Sequence, residues 1–122
     1  MPNAAIKTPG PDHPITLAAH AGRVVVTLNG TTLADSPRAL LLQEAGYPPV
    51  YYLPRADVDM RALARTPEST YCPYKGHAAY YAPVGTAGPG IAWSYERPHA
   101  AVHAIAGHLA FYPDRVDAIQ VD

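Results

Sequence analysis

The apolar positions of the chain fall in short runs that are separated by turn residues. Residues 23–28 form a β-branched run that ends at Asn29-Gly30, a dipeptide that strongly favours a two-residue hairpin turn. Residues 91–95 alternate, with the only tryptophan, Trp93, on the apolar face. The same criteria predict further strands at residues 15–18, 31–34, 50–53, 109–112 and 116–121.

Two segments carry helix signals. Residues 57–65 begin with acidic residues and are followed by Pro67, and residues 99–106 end just before Gly107. Residues 38–44 fit a strand or a helix by periodicity alone, and we favour a strand because turn residues bound the short segment. The pattern predicts a mainly β domain of about eight short strands with one or two short helices.

The size and charge of the chain limit its organisation and its partners. A chain of 122 residues can bury one core but not two, so we expect a single domain over residues 15–122, preceded by a loose N-terminal arm over residues 1–14. The formal net charge of -1 provides no field that attracts nucleic acid or an anionic membrane. Because the chain also lacks a membrane-spanning run and a signal-peptide pattern, we expect a cytoplasmic protein without nucleic-acid or membrane partners.

One segment, residues 70–81, carries more chemistry than a fold requires. It holds the only cysteine, Cys72, together with Lys75. Pro73 and Gly76 favour a β-hairpin turn that brings the thiol and the ammonium close together. A neighbouring ammonium favours the thiolate, so a partly exposed Cys72 could act as a nucleophile. The alternative is a small buried thiol beside a solvated turn lysine.

Several motifs give the chain a family resemblance. The central one is Cys-Pro-Tyr-Lys-Gly at residues 72–76, and with it the chain resembles the uncharacterised family known as domain of unknown function 427. The resemblance runs from about residue 23 to about residue 116 and includes residues 34–39, 48–54, 92–95 and 110–113.

The resemblance implies a β-tent-like fold, in which two small antiparallel sheets lean together. That fold group includes zinc-bearing enzymes and an aromatic-cage ligand-binding domain. This chain lacks the two Cys-x-x-Cys pairs of the zinc-bearing members, so we expect no structural metal and no cofactor. The family is sometimes labelled a nucleotidyltransferase-type domain, but here Asp57 and Asp59 lie where a helix cap would place them, and no glycine-rich phosphate loop accompanies them.

The motif residues would form one pocket if they converge in the fold. The candidate catalytic residues are Cys72 and Lys75. Such a pocket suits a small anionic or planar ligand, because an arginine can bind a carboxylate or phosphate while aromatic faces supply apolar contact. The alternative is a tyrosine-rich core whose hydroxyls bond to the backbone. The candidate ligand-binding residues are Arg38, Tyr51, Tyr52, Tyr74, Trp93, Tyr95 and Tyr112.

Three functions stay open at this point. The first is a binding module with an aromatic pocket, and the second is an enzyme that uses Cys72 as a nucleophile or redox thiol. The third is an interaction protein that pairs with another chain or forms a homodimer. A metal site at His99 and His103, four residues apart on a predicted helix, is a weaker hypothesis because nothing in the sequence supplies groups that would hydrogen-bond to the two imidazoles and orient them.

Overall fold

A computed structural model describes residues 5–122, and the first four residues of the predicted N-terminal arm lie outside the described range. The division of the chain into an arm and a domain stays a prediction. The strands of the described residues are β1 Ile15–Ala19, β2 Val24–Leu28, β3 Thr31–Ser36, β4 Leu40–Glu44, β5 Val50–Tyr52, β6 Leu63–Cys72, β7 Gly76–Pro83, β8 Ala92–Ser94, β9 Ala110–Phe111 and β10 Ala118–Val121.

The strands form three small antiparallel sheets, where the sequence resemblance implied two. Their strand orders are β1-β4-β5, β10-β2-β3 and β6-β7-β8-β9. The prediction of a mainly β domain is confirmed, and each predicted strand overlaps an observed one. The helical segments of residues 5–122 are short 3-10 helices at Arg55–Asp57, Met60–Ala62, Ala100–Ile105 and Pro113–Arg115.

Two hairpins follow directly from local turn chemistry. Asn29 and Gly30 have φ angles of 52° and 75°, as a type I′ turn between β2 and β3 requires. Between β6 and β7, the Lys75 backbone N–H donates to the carbonyl of Cys72 at 3.2 Å, and Gly76 has a φ of 110°. Both predicted hairpins are therefore confirmed.

The helix predicted over residues 57–65 is wrong. The two 3-10 turns in this region end at Ala62, and β6 begins at Leu63. Leu63 is buried, and β6 pairs with β7 from this residue onward. A helix of about two turns is marginal by itself, so the long-range backbone pairing outweighs the local helix signals.

The second predicted helix, over residues 99–106, is present as the 3-10 segment Ala100–Ile105. This segment contains a kink at Val102, whose φ and ψ are -124° and 28°. Val102 and Ile105 are fully buried and pack in one core cluster with Leu42 and Tyr52. No helix within residues 5–122 is long and apolar enough to cross a membrane.

Candidate functional site

A cavity of about 840 Å³ lies among the three sheets. Its apolar part includes Val24 and Val26 from β2 and Leu42 from β4. These residues come from both core clusters, so the cavity lies where the two clusters meet. Exposed residues at its edge, Tyr47 and Val121, form a mouth that opens to solvent.

Aromatic side chains form the walls of the cavity. The ring centroids of Trp93 and Tyr112 are 4.5 Å apart, and Tyr52 lies edge-on to Trp93. The indole Nε1–H of Trp93 donates to the Tyr52 hydroxyl at 3.2 Å, and the Tyr80 hydroxyl bonds to Thr70 Oγ1 at 2.7 Å. These contacts hold the aromatic rings in fixed orientations around the space.

One end of the cavity is polar. The Lys75 ammonium donates to Glu44 Oε1, and its Nζ is 3.7 Å from Cys72 Sγ. The same Nζ lies 5.9 Å from the centroid of the Tyr95 ring. The Lys75 side chain is only 10% exposed, so it is not the solvated turn lysine of the alternative interpretation. The predicted proximity of Cys72 and Lys75 is confirmed.

Glu44 was not among the candidate residues. It lies two residues after the buried Leu42 on β4, and strand periodicity places both side chains on one face. That alternation was the available signal that Glu44 points inward. The second carboxylate oxygen of Glu44 bonds to His13 Nε2 at 2.7 Å, and the His13 ring stacks on Tyr74 at 4.0 Å.

The surroundings of Glu44 keep its carboxyl ionised. Burial acts to raise the pKa of Glu44, but the hydrogen bonds from Lys75 and His13 oppose burial and give a net lowered pKa. The polar end therefore contains a carboxylate held by two donors, with the thiol of Cys72 beside one of them. We treat Cys72, Lys75, Glu44 and His13 as one group, the Cys72 cluster.

Burial also raises the pKa of the phenols of Tyr52 and Tyr95 well above its usual range. The pKa of Tyr112 is raised as well, again chiefly by burial. These hydroxyls therefore stay protonated at neutral pH. They can donate or accept a hydrogen bond but do not serve as phenolate nucleophiles.

The fold brings seven of the nine candidate residues together, since they all line the cavity: Tyr51, Tyr52, Cys72, Lys75, Trp93, Tyr95 and Tyr112. Tyr74 does not line the cavity and stacks on His13 instead.

Arg38 does not line the cavity either. Its Nη2 and Nε bond to Oδ1 and Oδ2 of Asp57 at 2.9 and 3.3 Å, and the Ser36 hydroxyl donates to the same carboxylate at 2.7 Å. This part of the family motif therefore ties β3 to the Arg55–Asp57 turn.

The side chains considered for the nucleotidyltransferase label and for the metal site have other partners. Asp57 binds Arg38 and Ser36, and the hydrogen bond from Arg38 is the main cause of its lowered pKa. Asp59 accepts from the backbone N–H of Arg61 at 3.3 Å. His99 bonds to the Tyr71 hydroxyl at 3.1 Å. No group of three His, Cys, Asp or Glu side chains within residues 5–122 is placed to hold a metal ion.

The fold and the site define a small antiparallel β domain with an aromatic cavity and a cysteine-containing polar end. Residues 16–122 match the family model described as a domain of unknown function (DUF427). The chain therefore belongs to this family. A search of curated proteins finds no match to the chain.

Proposed function

We propose that this protein is a binding module that takes a small planar ligand into its aromatic cavity. The observation that carries the proposal is the cavity itself, whose volume of about 840 Å³ is within the range of about 300–1,000 Å³ of small-molecule sites. Its lining is mainly aromatic and aliphatic, and its charged groups, Glu44 and Lys75, lie together as an ion pair. Such a lining is typical of sites that orient a ligand by a few polar contacts.

The geometry favours a planar ligand over an anionic one. Among residues 5–122, Lys75 has the only ammonium that lines the cavity, and it is already paired with Glu44, so an anion would have to compete with that carboxylate. The guanidinium of Arg38 lies elsewhere, on Asp57. Aromatic side chains of the cavity lining, such as Trp93 and Tyr80, instead gain energy by packing against a flat ring system.

Lys75 can also provide the polar anchor for such a ligand. An ammonium carries three N–H donors, and Glu44 and Cys72 are its two hydrogen-bond partners within the described part of the chain. The remaining donor suits a carbonyl oxygen or a ring nitrogen. The ligand would then place its acceptor at the Cys72 cluster and its rings between the aromatic walls.

The proposal can be tested with two fluorescent probes that differ by one sulfonate group. N-phenylnaphthylamine is planar in its ring system and uncharged, and anilinonaphthalenesulfonate is its anionic counterpart. We expect saturable binding of N-phenylnaphthylamine with a stoichiometry of one, accompanied by a change in Trp93 fluorescence, and weaker binding of the sulfonate. Tighter binding of the sulfonate would contradict the uncharged ligand class, and absence of saturable binding by either probe would contradict a ligand cavity.

Two tyrosine variants show whether the probe occupies the cavity. Tyr112→Ala removes a wall of the cavity, and Tyr74→Ala removes a ring that lies outside it. We expect Tyr112→Ala to weaken N-phenylnaphthylamine binding by about tenfold, which corresponds to about 1.4 kcal/mol of lost aromatic contact. Tyr74→Ala should leave the affinity unchanged, and an equal loss in both variants would place the probe elsewhere.

A second candidate function, an enzyme with Cys72 as nucleophile, is favoured by one observation. The thiol is partly exposed, lines the cavity and lies 3.7 Å from the Lys75 ammonium, which would support a thiolate. The Glu44 carboxylate opposes this effect by neutralising the ammonium.

Alkylation by iodoacetamide separates the two candidates. For a nucleophilic thiol we expect faster reaction in the folded protein than in the unfolded chain, a slower rate in Lys75→Met and a faster one in Glu44→Gln. A thiol that reacts only after unfolding would exclude the enzyme and leave the binding module.

A further inference from the structure

The four-stranded sheet carries a second cleft, whose lining residues differ from those of the aromatic cavity. Directly paired residues of antiparallel strands share a face, and the register pairs Arg65 with Tyr81 and Ser69 with Ala79. Tyr80, which lines the aromatic cavity, points to the other side. The regular pairing of β6 with β7 is interrupted between Arg65 and Ser69. A cleft of about 340 Å³ lies there, lined by Arg65, Ser69, His77, Ala79, Glu96 and Arg97.

Positively charged groups outnumber negatively charged groups at this cleft. Glu96 accepts from Arg55 at 3.0 Å, from Arg65 at 3.3 Å and from the Tyr81 hydroxyl at 2.5 Å. The Tyr81 hydrogen bond, followed by the two arginines, lowers the pKa of Glu96, so this carboxyl is ionised. The cleft lining holds two guanidinium groups, on Arg65 and Arg97, and the carboxylate of Glu96, while Arg55 adds a third guanidinium that bonds to Glu96 from outside the lining. The side chains at and beside the cleft therefore carry a net charge of about +2.

Two of these arginines have donors to spare. Arg97 is exposed and has no carboxylate partner within residues 5–122. Arg65 is 60% exposed and makes a single bond to Glu96, although a guanidinium carries five N–H donors. The exposed side chains of Ser69 and His77 add further polar groups to the same cleft.

We propose that this arginine cleft binds a phosphate group, either free or carried as a monoester by a small molecule. The planar fork of an arginine matches two oxygens of a phosphate, and two arginines at one cleft can hold different edges of the same tetrahedral anion. The hydroxyl of Ser69 supplies a further donor to the anion. The cleft and the aromatic cavity share no lining residue, so we expect the two sites to bind their ligands independently.

The test is a titration of the full chain with inorganic phosphate, followed by amide NMR, with chloride at matched ionic strength as the reference. We expect saturable shifts that centre on Arg65, Ser69, His77 and Arg97. Shifts that do not saturate, or that chloride reproduces, would overturn the proposal. Glycerol phosphate, titrated in the same way, distinguishes the two sources: tighter binding indicates a monoester ligand, and equal binding indicates that the phosphate group alone is recognised.

Variants assign the binding to the cleft. Arg97→Gln removes a guanidinium that pairs with no carboxylate in the described residues, so the fold should be unaffected, and we expect phosphate binding to weaken by about tenfold. Arg65→Gln should give a similar loss. The matched control is Arg61→Gln, which changes an arginine that is 95% exposed and lies outside the cleft.

Equal weakening by Arg61→Gln would show that phosphate responds only to the overall charge, and the proposal would fail. A loss of phosphate affinity in both cleft variants supports the proposal, and an unchanged affinity in either of them would overturn it. N-phenylnaphthylamine should not alter the phosphate affinity, so this result and the cavity experiment stand or fall separately.

Discussion

Two ion pairs, each with its cation from a family motif, differ in the exposure of that cation. Arg38 and Asp57 have side chains that are 60% and 16% exposed, whereas Lys75 and Glu44 are 10% and 12% exposed. The first pair fixes β3 to a neighbouring turn at the surface. The second pair lines the cavity and contacts the thiol of Cys72.

The difference teaches that membership of a motif does not define a residue's role. An exposed ion pair contributes little to stability because water solvates both charges well when they separate. A buried pair has lost that solvation, so either charge becomes costly once its partner is removed. The Lys75–Glu44 pair should therefore be sensitive to substitution in a way that the Arg38–Asp57 pair is not.

The largest expected effect is that of Glu44→Gln on stability. This change leaves the Lys75 ammonium in the cavity wall without its carboxylate, and we expect a loss of about 2 kcal/mol, less than for a fully buried pair because the cavity admits some solvent. Urea denaturation measures the loss. Arg38→Gln is the matched control at the Arg38–Asp57 pair, and it should lower the midpoint of urea denaturation only slightly. Equal shifts in the two variants would remove the contrast between the pairs.

A double substitution should reverse most of that loss. In Glu44→Gln with Lys75→Met both charges are gone, so neither charge is left in the cavity wall without its partner. We expect the double variant to lie within about 1 kcal/mol of the wild type in urea denaturation. If the double variant is as unstable as the sum of the two single variants, the charges are not coupled and the pair does not determine stability at this end of the cavity.

Local chemistry explains which parts of the fold could be predicted from the sequence. Asn29 and Gly30 can adopt positive φ angles by themselves, so their hairpin is encoded in two residues. The turn from Cys72 to Gly76 is encoded in the same way, and with it the proximity of the thiol and Lys75. The helix predicted over residues 57–65 failed because pairing of β6 with β7, a long-range interaction, determines that segment.

The candidate site was predictable only in part, for a related reason. Aromatic residues in family motifs converged on the cavity, since large rings must be buried together. Glu44 lies 31 residues before Lys75, and only the tertiary fold brings them together. His13 is equally distant from Glu44 in sequence, and its ring is placed by the stacking contact with Tyr74. The placement of Arg38 on Asp57 likewise required the structure.

Acid should weaken the buried pair in a defined pH range. The pKa of Glu44 lies below its ordinary value of 4.5 in the folded protein. Its contribution to stability is therefore fully present above that value and is lost as the pH falls through the folded pKa. We expect the stability difference between wild type and Glu44→Gln to be full at about pH 7 and to shrink toward about pH 3. A difference that stays constant over this range would contradict the lowered pKa.

The smallest expected effect is at His13, which extends the buried pair to a third residue. His13→Phe keeps a ring that can stack on Tyr74 but removes the hydrogen bond to Glu44 Oε2. Because His13 is partly exposed, with a side chain that is 25% accessible, we expect a loss of about 1 kcal/mol in urea denaturation. Asp12→Ala, at the exposed neighbouring residue, should leave the free energy of unfolding unchanged.

In the Glu44→Gln background, His13→Phe should lower the free energy of unfolding by less than it does in the wild type, because the charge that strengthens the hydrogen bond is absent. An unchanged effect in that background would mean that His13 acts through its ring contact alone, and the cluster would then contain the thiol, the lysine and the carboxylate but not the histidine.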